Sequence, residues 1–165
     1  MTVLTVLQEQ LAEAHGLAMA ATAVTREIED RVSDVELRLE LARMRREADE
    51  TRARCLQVEA ALGEELAAGV LARANTTKER AGDLMVAWLK AGTSPLRAWS
   101  FLAMGEAGEV AAWSALGELA GRDGDGAVAA LARWALPVQE RHLRTALRGA
   151  KRLAGLSDPA GPRWG

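Results

Sequence analysis

The sequence predicts an all-α protein, a bundle of four long helices in two antiparallel hairpins joined by a long crossover carrying short helices. Three observations support this. Alanine, leucine, arginine and glutamate dominate, with no tyrosine and one phenylalanine, so helix formers are abundant and strand formers scarce. Four stretches repeat apolar residues at alternating steps of three and four, the period of one helix face. Between the second and third stretches, Gly63 to Thr93 is long enough to carry the chain back to its starting end.

The first helix, about residues 2 to 31, has the line Leu4, Leu7, Leu11, Ala14, Ala18, Ala21, Thr25, Ile28. The middle of this line is alanine, with Leu17 on its edge. The second opens at Ser33-Asp34-Val35-Glu36, a capping-box pattern that satisfies free amides at a helix start. Its line is Leu37, Leu41, Met44, Ala48, Thr51, Cys55, Val58, Leu62. So short a break before Ser33 predicts an antiparallel hairpin. The crossover should hold a short helical segment and a second one opened by Thr76-Thr77-Lys78-Glu79, which presents Leu84, Met85, Trp88 and Leu89 to the side of the bundle.

The third long helix starts at Ser94-Pro95, a cap residue followed by proline at the first helical position, and ends near Gly121. The run GRDGDG then turns the chain into the fourth helix, which continues to about Leu153. This run lacks the downstream ligands and closing glutamate of a calcium loop, so it reads as a turn and helix cap. Residues 1–154 are expected to form the bundle, and 155–165, GLSDPAGPRWG, a flexible tail.

A net charge of −2 provides no basic field for nucleic acid. Of 21 basic residues only Lys78, Lys90 and Lys151 are lysine, and the arginines interleave with acids as on solvated helix faces. The lone Cys55 excludes an intramolecular disulfide and suits a reducing cytoplasm. It lies on a core line and reads as a buried thiol. No signal peptide is expected, and no apolar run approaches the ~18 residues of a membrane span. A Gly-rich phosphate loop, a CxxC pair and an HExxH motif are all missing.

One feature breaks the pattern. The third helix's stripe runs Trp99, Leu102, Glu106, Glu109, Trp113, Leu116, so two carboxylates face the core. The fourth helix's line, Val128, Leu131, Ala135, Val138, His142, Thr145 or Ala146, Gly149, turns His142 inward as well. Folding these helices about residue 123 brings His142 within a turn of Glu106, with Glu109 one turn further. Ionised groups are rarely buried without partners. Glu106, Glu109 and His142 are therefore candidate ligands for one iron, manganese or zinc ion. They equally suit a metal-free hydrogen-bonded cluster that sets helix register. Pro137, one turn before His142, removes an amide from the helix ladder and fits either a site-shaping kink or packing. His15 is expected to be a partly exposed flank residue.

Two segments, GEAGEVAAWSAL (Gly105 to Leu116) and QERHLRTAL (Gln139 to Leu147), resemble bacterial ferritin-like four-helix proteins of unassigned function, including relatives of the YciE-type stress proteins. Helix two, ELRLELARMRREADETRARCLQVEAAL, is similar more loosely. The resemblance implies a ferritin-like bundle with a di-metal centre, using a glutamate from each of two helices and Glu-x-x-His from each of the others. This chain departs from that plan. Gln139 replaces the motif's glutamate, and helix two turns Ala48 and Thr51 inward with Glu47 and Glu50 off the stripe. The leading expectation is a non-catalytic, cytoplasmic, homodimeric bundle with a degenerate site for one metal ion and a role in stress response. The alternative is a metal-free structural or interaction module, and the third is a di-iron oxidase.

Overall fold

In the computed structural model, residues 3–161 are described, and they form five helices with no strand among them. Helix α1 (Val6–Glu29) opens on a capping box. The Thr5 hydroxyl accepts from the Gln8 amide, and the Gln8 side chain accepts from the Thr5 amide. Helix α2 (Val35–Ala60) is capped by Asp34, one residue later than the Ser33 expected, its carboxylate accepting from the Leu37 amide. Helix α4 (Pro95–Asp123) starts behind the Ser94 cap and closes on Gly124 at φ 81°, a left-handed position that glycine adopts without cost. Asp125 accepts from the Ala127 and Val128 amides to begin α5 (Gly126–Gly155), which runs through Pro137 without breaking.

The crossover differs from expectation. Two short segments were expected, but α3 (Glu64–Trp88) is a single 25-residue helix. The Thr76-Thr77 run is no helix start, because no proline or turn interrupts the helix formers around it. Thr76 bonds back to the Ala72 carbonyl, and Thr77 donates to Glu13 of α1 at 2.6 Å. Gly16 allows this approach. A Cβ there would lie 2.4 Å from the Ala74 carbonyl oxygen.

Two apolar clusters give the helix directions. One joins Leu11, Cys55, Val70, Trp113, Leu116, Val128 and Leu131. The other joins Ile28, Leu37, Leu41, Leu89, Trp99, Leu102 and Ala146. The starts of α1, α3 and α5 thus share one end with the finishes of α2 and α4. Helix α3 returns the chain so that α4 runs parallel to α2, as the long crossover predicted. At the second end α4 and α5 are close-packed. A Cβ on Gly149 would fall 2.3 Å from the Trp99 indole, whose N–H donates to the Ala146 carbonyl at 2.7 Å.

Between the clusters lies a layer where α1 and α2 offer Ala18 and Ala48, and α4 and α5 offer polar side chains. No helix among the described residues is long and apolar enough to cross a membrane. Of the expected flexible tail, Gly155 ends α5, and residues 162–165 lie outside the described residues.

Candidate functional site

The α4 and α5 stripes place Glu106, Glu109 and His142 in the interior, each less than 5% exposed. Gln139, one turn before His142, is buried with them. The structure brings Glu106 and His142 together, their Oε2 and Nδ1 atoms 3.5 Å apart. Glu109 joins no such pair, and its buried Oε2 has no hydrogen-bond partner among the described residues.

His142 has a second carboxylate that the α2 stripe did not reveal. Its Nε2 lies 2.6 Å from Glu47 Oε2. Glu47 lies off the α2 stripe, as read from the sequence, yet its carboxylate turns inward. Glu47 sits beside Ala48 on the flank of the line, and a glutamate's three rotatable bonds reach inward from there. Ala48 leaves the room. Glu47 also accepts from Arg141 at 2.9 Å and from Arg43 at 3.3 Å. Charges thus alternate along Arg141, Glu47, His142 and Glu106. The Nε2 contact to Glu47 is a hydrogen bond, whereas Glu106 Oε2 stands at ion-pair distance from Nδ1 and has no hydrogen-bond partner among the described residues.

The electrostatics follow this geometry. Burial disfavours the His142 cation, but the carboxylates of Glu106 and Glu47 outweigh it and raise the imidazole pKa above its ordinary value. Glu47 is partly buried, which alone would raise its pKa, yet His142 and Arg141 hold it below the usual carboxylate value. Glu109 goes the other way. Burial pushes its pKa well up, and the neighbouring charge of Glu106 adds to the shift.

A second buried pair was missed by sequence reasoning. His15, expected to be partly exposed, is fully buried, and its Nδ1 meets Glu59 Oε1 at 2.7 Å. Helix α3 covers what would otherwise be a helix-hairpin flank. The available signal was Glu59, four residues beyond Cys55 and so on the edge of the same face. Cys55 is buried as expected. Burial, helped by the charges of Glu59 and Glu109, raises its thiol pKa far above the ordinary value, which makes it a poor nucleophile.

Chemically, the layer can share and hold protons. Among the described residues no group of three or more His, Cys, Asp or Glu side chains is placed to hold a metal ion. Gln139 is buried in the same layer, and its Oε1 has no hydrogen-bond partner among the described residues. Comparison of the chain with protein-family models, curated proteins and solved structures found no match in any of the three.

Proposed function

We propose that this protein is a non-catalytic helical module of ferritin-like connectivity, whose buried layer sets helix register through protons rather than metal. The observation that carries this reading is the His142 imidazole held between Glu47 and Glu106, with Arg141 on the outer carboxylate. Such a chain links α2, α4 and α5. Sliding any one helix by a turn would leave a buried charge without its partner, which costs about 3–5 kcal/mol.

The donor set does not fit a two-metal centre. Two-metal ferritin-like sites draw carboxylates from both helix pairs. Here α1 contributes His15, already paired with Glu59, and the α2 carboxylate is neutralised by an arginine.

A second reading is favoured by one specific feature. Glu47 and the His142 Nε2 edge converge at 2.6 Å while Glu106 stands behind Nδ1. A ligating histidine backed by a carboxylate is a common arrangement at metal sites. One ion bound there, with Glu109 rotated in, is the single-metal alternative.

Metal analysis separates the two. The purified chain, loaded with Fe(II), Mn(II) or Zn(II) and then dialysed, should retain well under one ion per chain and show no Fe(II) oxidation above the buffer rate. One retained ion per chain, lost in His142→Ala, would establish the single-metal reading and overturn the first.

A further inference from the structure

In a chain of which 27% of the residues are charged, the outer face of α4 carries charge only at its two ends. Between Arg97 and Glu118 the only ionisable side chains of the helix are Glu106 and Glu109, and both are buried. The outward line runs Ser100, Met104, Ala107, Ala111 and Ser114, at the alternating steps of three and four that keep one face in register with a second helix. All five are exposed, as are Arg97 at the start of the line and Glu118 at its end. A solvated helix face of this length ordinarily carries charge throughout.

The face is finished for burial. Ser100 donates to the Leu96 carbonyl at 2.9 Å and Ser114 to the Val110 carbonyl at 2.7 Å, so covering them strands neither hydroxyl. A Cβ on Gly105 or Gly108 would meet nothing within 4 Å, and with Ala107 and Ala111 they let another helix come close. The uncharged surface continues sideways from Met104 across a cavity of about 300 Å³ between α1, α3 and α4, whose far rim is Leu84. Met104 and Leu84 are 48% and 55% exposed. Neither Arg97 nor Glu118 forms an ion pair with another described residue, and Arg97 rests 5.6 Å from the centre of the Trp88 ring.

We propose that α4 is the surface through which two copies of this chain pair, antiparallel about a twofold axis between Ala107 and Gly108. That axis sets Arg97 level with the partner's Glu118 and Met104 level with the partner's Ala111, and each pairing occurs twice. Charge selects both the occupant and its direction. Antiparallel packing makes two Arg–Glu pairs, whereas parallel packing would set Arg97 against the partner's Arg97 and Glu118 against the partner's Glu118. A lipid surface would cover the middle of the face but oppose neither end. In the middle the one large side chain, Met104, meets a small one, as close helix packing requires. The metal-free and single-metal readings of the buried layer leave this surface unchanged, because Glu106 and Glu109 are turned away from it.

Sedimentation equilibrium of the full chain over a range of concentrations is the test. Wild type should sediment at twice the chain mass. Arg97→Glu alone and Glu118→Arg alone should each weaken the dimer at least tenfold, since each turns two attractions into two repulsions. Mixed in equal amounts, the two variants should associate as tightly as wild type, because every charge on one chain then faces its opposite on the other. Ala111→Glu, which puts a charge in the middle of an exposed face, should give a monomer with unchanged helix content by circular dichroism. The proposal is overturned by a wild-type chain that stays monomeric, whether or not it binds lipid vesicles. It is equally overturned by single variants that dimerise like wild type, by a mixture no tighter than its components, or by an Ala111→Glu dimer of wild-type affinity.

Discussion

Replacing Glu109 by glutamine should stabilise the protein at neutral pH, by an amount that depends on pH. In the unfolded chain this carboxyl titrates near its ordinary value of 4.5, and in the folded chain burial raises its pKa well above that. Between those two values the unfolded state gives up a proton that the folded state keeps, so wild-type stability falls as pH rises. The slope is at most about 1.4 kcal/mol per pH unit while the folded carboxyl remains protonated. Glutamine keeps the shape and never ionises, so its advantage should grow by at most about 2.7 kcal/mol from pH 5 to pH 7. For a chain this long that corresponds to roughly 5–10 °C in Tm. His142 titrates in the same region with its pKa raised, adding stability below pH 6.5 that is lost as pH passes through its folded value. To first order both proteins share that contribution, so the difference between them isolates Glu109. Urea melts followed by circular dichroism at several pH values measure it. A difference that stays flat with pH, or a variant less stable than wild type at pH 7, would refute the reasoning.

Further outcomes are expected. Gly149→Ala forces a methyl into the Trp99 ring and disturbs its bond to Ala146, so overpacking and a weakened hydrogen bond should outweigh the gain in helix propensity by about 1–3 kcal/mol. Gly117→Ala makes only an ordinary contact with Ala132, so it should be neutral or stabilising by up to about 1 kcal/mol. Thermal melts of the pair check both, and equal effects would show that the Trp99 contact is soft. His15→Ala leaves Glu59 buried without its partner and should cost about 3–5 kcal/mol, whereas the double change His15→Leu with Glu59→Leu should recover most of that loss. A single variant within 1 kcal/mol of wild type would show that water replaces the imidazole.

The helices were legible because each is written locally. Period and caps depend on residues within a turn or two, so the Ser94-Pro95 start and the inward faces of Glu106, Glu109 and His142 could be read from spacing alone. The long crossover was also legible, since the distance from Gly63 to Thr93 states how far the chain can travel. The Thr76-Thr77 run misled because a hydroxyl pair signals a helix start only when the backbone amides ahead of it are free, and here they continue a ladder. Tertiary structure decided the partners. Glu47 lies off its stripe by angle but reaches His142 by length, and rotamer choice depends on the space left by Ala48 and on the α5 residues opposite. His15 became a core residue only because α3 lies over it, a contact between residues some sixty positions apart that no local pattern records. The cavity beside Glu109 has the same origin. Each alanine and glycine lining it reads in sequence as an ordinary helix residue, and the empty space appears only when three helices bring those small side chains together.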